Sequence, residues 1–167
     1  ICQFCDTEFV GTDGTDGGKF SSARGLVAAV DGHWPQHTKE KKFVVCTGGE
    51  PLLQLDQLLV VALHEAGFEI AIETNGTLPT PEGIDWICVS PKAGSKLVLL
   101  QGSELKLVYP QERAMPEQYE DLEFEHHFLQ PMAGPDLEWN TGEAIAYCLA
   151  NPTWRLSVQT HKITGIR

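Results

Sequence analysis

Positive charge is scarce in this chain. Its 167 residues include 12 lysines and arginines against 23 aspartates and glutamates, a formal net charge of −11. No basic stripe runs along it, which argues against nucleic acid as a partner, because holding a polyphosphate takes clustered cations. An anionic ligand must therefore meet a local cationic group, and the acidic surface mainly serves solubility. Long apolar runs are missing too. None approaches the ~18 residues of a membrane-spanning helix, so no membrane partner is expected. Cysteine is sparse: Cys2, Cys5, Cys46, Cys88 and Cys148 make five, too few for a secreted disulfide scaffold of this length, and a reducing cytoplasm fits better. The last three sit in the apolar stretches FVVC, DWIC and AIAYC and read as small buried hydrophobes. Internal repeats and low-complexity tracts are also lacking.

What is present is ordinary globular material, 42% apolar and 21% charged, at a length that suits one domain over residues 1–167. Residues 6–19 (DTEFVGTDGTDGGK) read as a loop. SSARGLVAAVDGHW reads as a helix capped by Ser21 or Ser22, with Leu26, Val27 and Val30 at helical spacing. FVVC at 43–46 has the continuous apolar character of a buried parallel strand. LDQLLVVALHEAG at 55–67 reads as a helix with Gly67 at C′. Strands are expected at 69–73, 85–89, 104–108, 126–130 and 154–159, and a helix at 140–151 capped by Asn140 or Thr141. This alternation predicts an α/β fold with a mostly parallel sheet. Strands outnumber helices, and an eight-fold barrel needs about 250 residues. The expectation is a partial, reduced β/α barrel with few helices.

Polar and glycine-rich clusters follow the predicted strands at their C-terminal ends: Thr47–Pro51, Glu73–Asn75, Ser90–Lys92, Gln130–Met132 and Gln159–Lys162. In parallel α/β folds ligands bind at that rim. Turns favour Gly, Pro and Asn, but do not call for Glu, Lys, Gln and His in the same places.

Two motifs carry chemistry. In CQFC, Cys2 and Cys5 can bite one metal from a single turn. That spacing occurs in zinc sites, redox dithiols and iron–sulfur sites. A zinc ribbon wants a second pair of ligands, and His126 and His127, adjacent in a strand, face opposite ways. A redox dithiol would open a helix, whereas here a Gly/Asp loop follows. An iron–sulfur cluster with a further ligand upstream remains. In TGGEP, glycines expose backbone N–H groups and Glu50 adds an acceptor, a set suited to a zwitterionic amino acid group.

CQFCDTEFVGTDG, VVCTGGEPLLQLD, AIETNGTLP, DWICVSPKA, ELKLV, FLQPM and WRLSVQTHK together resemble the 7-carboxy-7-deazaguanine synthase family of the radical S-adenosylmethionine superfamily, across essentially the whole chain. The resemblance implies a reduced partial barrel and a homodimeric lyase. It implies conversion of 6-carboxytetrahydropterin to 7-carboxy-7-deazaguanine, a ring contraction with loss of ammonia on the route to queuosine and other deazapurines. The implied cofactors are a [4Fe–4S] cluster, S-adenosylmethionine and Mg²⁺, with a flavodoxin- or ferredoxin-type electron donor as partner. It also implies that a first strand and a first cluster cysteine stand upstream of Ile1.

Roles carry over by position. Cys2 and Cys5 match cluster ligands, and Thr7 matches the hydroxyl on Mg²⁺, a hard cation that prefers oxygen. Phe4, Gly48, Gly49, Glu50, Ser90, Pro91, Lys92, Gln130, Pro131, Met132 and Ala133 match cofactor-binding positions. Thr47, Glu73, Asn75, His161 and Arg167 are expected to meet substrate. No catalytic side chain beyond the cluster and cofactor is implied. Taken singly, Thr7 is a turn residue, Lys92 a solvated lysine, Met132 a core residue and His161 a structural histidine. Two rivals are another radical enzyme of the activating type and a non-catalytic zinc-binding α/β module built on Cys2 and Cys5.

Overall fold

The structure, a computed structural model, describes Gly14 and residues 16–165. Its elements in chain order are α1 (Ala23–Gly32), β1 (Lys42–Cys46), α2 (Gln57–Glu65), β2 (Phe68–Thr74), β3 (Trp86–Val89), β4 (Gln101–Tyr109), β5 (Glu123–Pro131), α3 (Leu137–Ala150), β6 (Trp154–Leu156) and α4 (Thr160–Thr164). Short 3-10 turns occupy Pro51–Leu53 and Pro116–Gln118. The strands follow one another as β1-β2-β3-β4-β5-β6 in a sheet. The pairings β1–β2, β3–β4, β4–β5 and β5–β6 are all parallel. The α/β expectation, with a parallel sheet and few helices, holds.

By internal contacts the described residues form two compact units. One spans 16–74 with Pro79–Ile87, the other Asn75–Leu78 with 88–165.

In the first unit both helices start at a capping side chain, Ser22 on α1 as expected and Asp56 on α2, whose expected start was Leu55. The Ser22 hydroxyl accepts the Gly25 N–H at 3.2 Å, and Asp56 Oδ1 accepts the Leu59 N–H at 2.9 Å. Each satisfies a donor that the helix leaves without an intrahelical partner. Helix α2 ends at Glu65, and Gly67 follows with φ +86°. Val27, Leu55, Val60, Leu63, Phe68, Ile70 and Ile72 form the core, with Val44 and Cys46 packed against it. Burying each such aliphatic side chain is worth about 1.5–3 kcal/mol. β1 departs from expectation. Its apolar run predicts burial on both faces, yet Phe43 and Val45 are 46% and 43% exposed. Among the described residues β1 stands at the edge of the sheet, and only its alternate residues reach the core. β2, paired with it from Lys42↔Phe68 to Cys46↔Ile72, buries Ile70, Ala71 and Ile72 in succession.

The second unit is built on β4 and β5, which pair from Gln101↔Glu123 to Tyr109↔Pro131. Leu105, Leu107, Leu129 and Trp154 are buried there, and α3 packs on β5 and β6. Helix α3 begins at Leu137 rather than at Asn140 or Thr141. Neither expected cap acts as one. Asn140 turns its amide to the Met132 carbonyl, and the Thr141 hydroxyl donates back to the Leu137 carbonyl at 2.7 Å. β6 stops at Leu156 instead of reaching residue 159. One further backbone bond, Ser157 N–H to the Leu129 carbonyl, follows, and the chain then turns into the short α4. Of the three cysteines read as buried, Cys88 is, while Cys46 and Cys148 are half-buried; all three are free thiols.

Candidate functional site

At the end of β1, Thr47–Glu50 leads into the 3-10 turn. Gly48 and Gly49 take φ +73° and +42° in succession, left-handed backbone that glycine adopts without a Cβ penalty. Glu50 caps the turn: its Oε1 accepts the Leu52 N–H at 3.1 Å and the Thr74 hydroxyl at 2.6 Å. Thr74 is buried at the end of β2, so parallel pairing brings the two strand ends together and the hydroxyl fixes the carboxylate. Glu73, one residue earlier on the opposite face, is exposed. The set offers a held carboxylate for an ammonium group beside a glycine-rich backbone.

In the second unit, Asn75 opens a turn in which its Oδ1 accepts both the Thr77 N–H at 2.9 Å and the Thr77 hydroxyl at 2.6 Å. That fixes the amide with its carbonyl end turned inward. Gly76, at φ +74°, lies so close to Val89 and Leu97 that a Cβ there would sit 2.6 Å from each side chain. Its carbonyl accepts the Val98 and Leu99 N–H groups.

Ser90, Pro91 and Lys92 follow β3. Lys92 is half-buried, not freely solvated: its Nζ donates to the Ser90 carbonyl at 2.6 Å and to the Ser90 hydroxyl at 2.7 Å. Gln130 and Pro131 end β5, and Met132 and Ala133 follow, half-buried rather than in the core. The Met132 N–H donates to the Tyr109 carbonyl at 2.8 Å, and its carbonyl accepts Asn140 Nδ2 at 3.0 Å. His161 lies exposed on α4. Cys2, Phe4, Cys5, Thr7 and Arg167 fall outside the described residues. Among the described residues no group of three or more His, Cys, Asp or Glu side chains converges to hold a metal ion. Two cavities, of about 470 Å³ beside the start of α3 and about 730 Å³ beside the starts of α1 and α2, contain none of the expected site residues.

Three buried polar residues bear on these segments and were not picked out as such by sequence reasoning. Thr74 holds Glu50. Asn140, read as a cap, holds Met132. Gln111, 4% exposed, receives the Ala93 N–H on its Oε1 at 2.8 Å, and its Nε2 lies 3.4 Å from the Pro91 carbonyl. Thr74 ends β2 directly after the buried run 70–72 and Glu73, and Asn140 lies in the first turn of α3 among other polar residues, so neither stood out by pattern. Gln111 follows a Tyr-Pro pair in a loop and carried no signal either.

The chain is 59% identical to the 7-carboxy-7-deazaguanine synthase of Caulobacter vibrioides over 166 residues, covering 99% of this chain and 79% of that protein. It is 60% identical to that of Bradyrhizobium diazoefficiens over the same shares. The chain belongs to the 7-carboxy-7-deazaguanine synthase family. No family model matches it. Membership extends to distant relatives, at 42% identity to the synthase of Bacteroides thetaiotaomicron. The crystal structure of QueE from Escherichia coli matches with a TM-score of 0.69 at 28% identity, covering 95% of this chain and 79% of that one. That likeness supports the radical S-adenosylmethionine fold that the family resemblance implies. These relatives carry the synthase name rather than that of an activating-type radical enzyme or a zinc module. No helix among the described residues is long and apolar enough to cross a membrane.

Proposed function

We propose that this protein is a cytoplasmic, homodimeric radical S-adenosylmethionine lyase that converts 6-carboxy-5,6,7,8-tetrahydropterin to 7-carboxy-7-deazaguanine for queuosine or related deazapurines. The observation that carries it is 59–60% identity to synthases of that name over 99% of the chain. Bound together, a [4Fe–4S] cluster and S-adenosylmethionine supply hydrogen-atom abstraction from carbon, and a flavodoxin- or ferredoxin-type donor provides the electron.

The chain's own residues bind and orient. Cys2 and Cys5 would hold the cluster, with Phe4 between them, and Thr7 would offer a hydroxyl to Mg²⁺. Gly48, Gly49 and Glu50 suit the amino end of S-adenosylmethionine, because Glu50 is a carboxylate already held by Thr74 and by a backbone N–H. Ser90, Pro91 and Lys92, and Gln130, Pro131, Met132 and Ala133, suit its remaining parts, the second set presenting an apolar edge to an adenine ring. Thr47, Glu73, Asn75, His161 and Arg167 are assigned to the pterin. Asn75 would meet it with an amide oriented by Thr77, whose N–H and hydroxyl both donate to the Asn75 Oδ1.

The test uses the natural full-length gene product, reconstituted anaerobically with iron and sulfide. Reductant, S-adenosylmethionine, Mg²⁺ and 6-carboxytetrahydropterin are added and the mixture is read by mass spectrometry. The expected result is 7-carboxy-7-deazaguanine. Formation of 5′-deoxyadenosine without that product would keep the radical machinery and overturn the substrate assignment.

A further inference from the structure

We infer that Gln111 and Asn140 are positioning residues that hold the two S-adenosylmethionine segments, Ser90–Ala93 and Gln130–Ala133, in place from behind. The inference rests on the functional reading above, which assigns those segments to the cofactor. Its independent ground is the way buried amides are placed.

Both residues are buried, Gln111 at 4% and Asn140 at 8% exposure. A buried amide is costly unless hydrogen-bonded, so its partners show what it is there to hold. Gln111 stands just past β4. Its Oε1 takes the Ala93 N–H at 2.8 Å, and its Nε2 lies 3.4 Å from the Pro91 carbonyl and 3.5 Å from the Val108 carbonyl. One side chain thus addresses the main chain on both sides of Lys92. Lys92 itself folds back onto Ser90, so the segment's shape is set by Gln111 outside it and by Lys92 within it.

Asn140 does the matching task for the other segment. Its Nδ2 reaches out of helix α3 to the Met132 carbonyl at 3.0 Å. The Met132 N–H is bound by the Tyr109 carbonyl at 2.8 Å, two residues before Gln111. Residues 108–111 at the end of β4 therefore touch both segments, and Asn140 closes the second from the helix side. Neither amide belongs to the segments it holds. Supporting groups of this kind fix the orientation of residues that touch a ligand, and their loss typically weakens binding about 10-fold or more.

The test uses the full-length protein, reconstituted anaerobically, with two readouts: S-adenosylmethionine binding by equilibrium dialysis and the thermal unfolding midpoint. Gln111→Met keeps the side chain's length and removes its hydrogen bonds. Asn140→Leu does the same for the shorter amide. Leu105→Ala, a fully buried β4 residue remote from the segments in sequence, serves as the control for lost stability. Each amide variant is expected to bind about 10-fold more weakly, while the control loses midpoint and keeps affinity. If either amide variant does not fold, Gln111→Glu and Asn140→Ser take its place. In the first an acceptor for the Ala93 N–H is retained, and in the second a shorter donor remains, so each is expected to restore part of the affinity. Affinity that tracks the midpoint across all variants, control included, would overturn the inference and leave the amides purely structural. Unsubstituted protein that binds S-adenosylmethionine but yields no deazaguanine would overturn the substrate reading alone. Unsubstituted protein that fails to bind it would overturn both.

Discussion

A single methyl group decides the fate of Gly76. Its backbone sits at φ +74°, and a Cβ would lie 2.6 Å from both Val89 and Leu97. Left-handed strain and overpacking act together, each costing about 1–3 kcal/mol. Gly76→Ala is expected to lower the urea unfolding free energy by at least 2 kcal/mol, roughly the sum of the two smaller costs. A shift below about 0.5 kcal/mol, the range of inert surface changes, would show that the Val89 and Leu97 side chains move aside freely. His127 offers a second test at this scale. It is buried on β5 between Phe124 and Trp154, their ring centroids 6.4 and 5.1 Å away. Burial lowers its pKa, against a hydrogen bond to the Tyr119 backbone and the charge of Glu120, with His126 adding slightly to the lowering. The folded state thus holds the ring neutral while the unfolded chain protonates near pH ~6.5. Stability from this residue is fully present above that pH and is lost as pH falls through the lowered folded value. Urea midpoints measured from pH 7 to 5 are expected to fall less steeply in His127→Phe than in the unsubstituted protein; parallel slopes would refute it. The residue scale is also where sequence reasoning reached least. Asn75 and Glu50 stood in recognisable motifs, whereas the partners that orient them, Thr77 and Thr74, follow only from strand register and turn geometry.

Elements were legible where capping chemistry and apolar periodicity agreed, and not where a polar side chain had a tertiary partner to satisfy. Helices α1 and α2 show the first case. Ser22 caps α1 as its sequence position suggests, and Asp56 caps α2 one residue past the expected start at Leu55. Asp56→Ala is expected to lower unfolding free energy by about 1 kcal/mol, the usual value of an N-cap, with the denaturant dependence unchanged. A change within error would mean that the 2.9 Å bond to the Leu59 N–H contributes nothing net. Helix α3 shows the second case. Asn140 and Thr141 look like caps because their side chains compete with helical backbone bonds, yet one is committed to Met132 and the other to the Leu137 carbonyl. The helix starts four or five residues earlier than those caps suggest. β6 was overestimated for a related reason. SVQ after Leu156 has strand-like composition, but the ladder with β5 stops there, and a five-residue helix that has no periodicity long enough to read takes over.

For the whole molecule, no single motif was decisive. CQFC alone fits zinc as well as iron, and TGGEP alone fits any strand-to-helix turn; it is their order and spacing over the chain that point to one family, with which the relatives agree. The metal content then follows as a prediction separable from the fold. The described residues form apolar cores, around Val60, Leu63 and Ile70 in one unit and Leu105, Leu107 and Leu129 in the other, and no group of three or more His, Cys, Asp or Glu side chains that could hold a metal lies among them. The fold is therefore expected to persist without metal, unlike a small zinc domain, in which binding and folding are one equilibrium. Full-length protein reconstituted anaerobically should contain iron and acid-labile sulfide in equal amounts, about four of each per chain, as a cubane cluster requires. Chelation should strip the iron and abolish product formation while far-ultraviolet circular dichroism stays unchanged. Cys5→Ala should fail to take up the cluster yet keep the same spectrum. Zinc at about one per chain without sulfide, together with unfolding on chelation, would instead fit a structural zinc site and would remove the basis for assigning Cys2 and Cys5 to an iron–sulfur cluster.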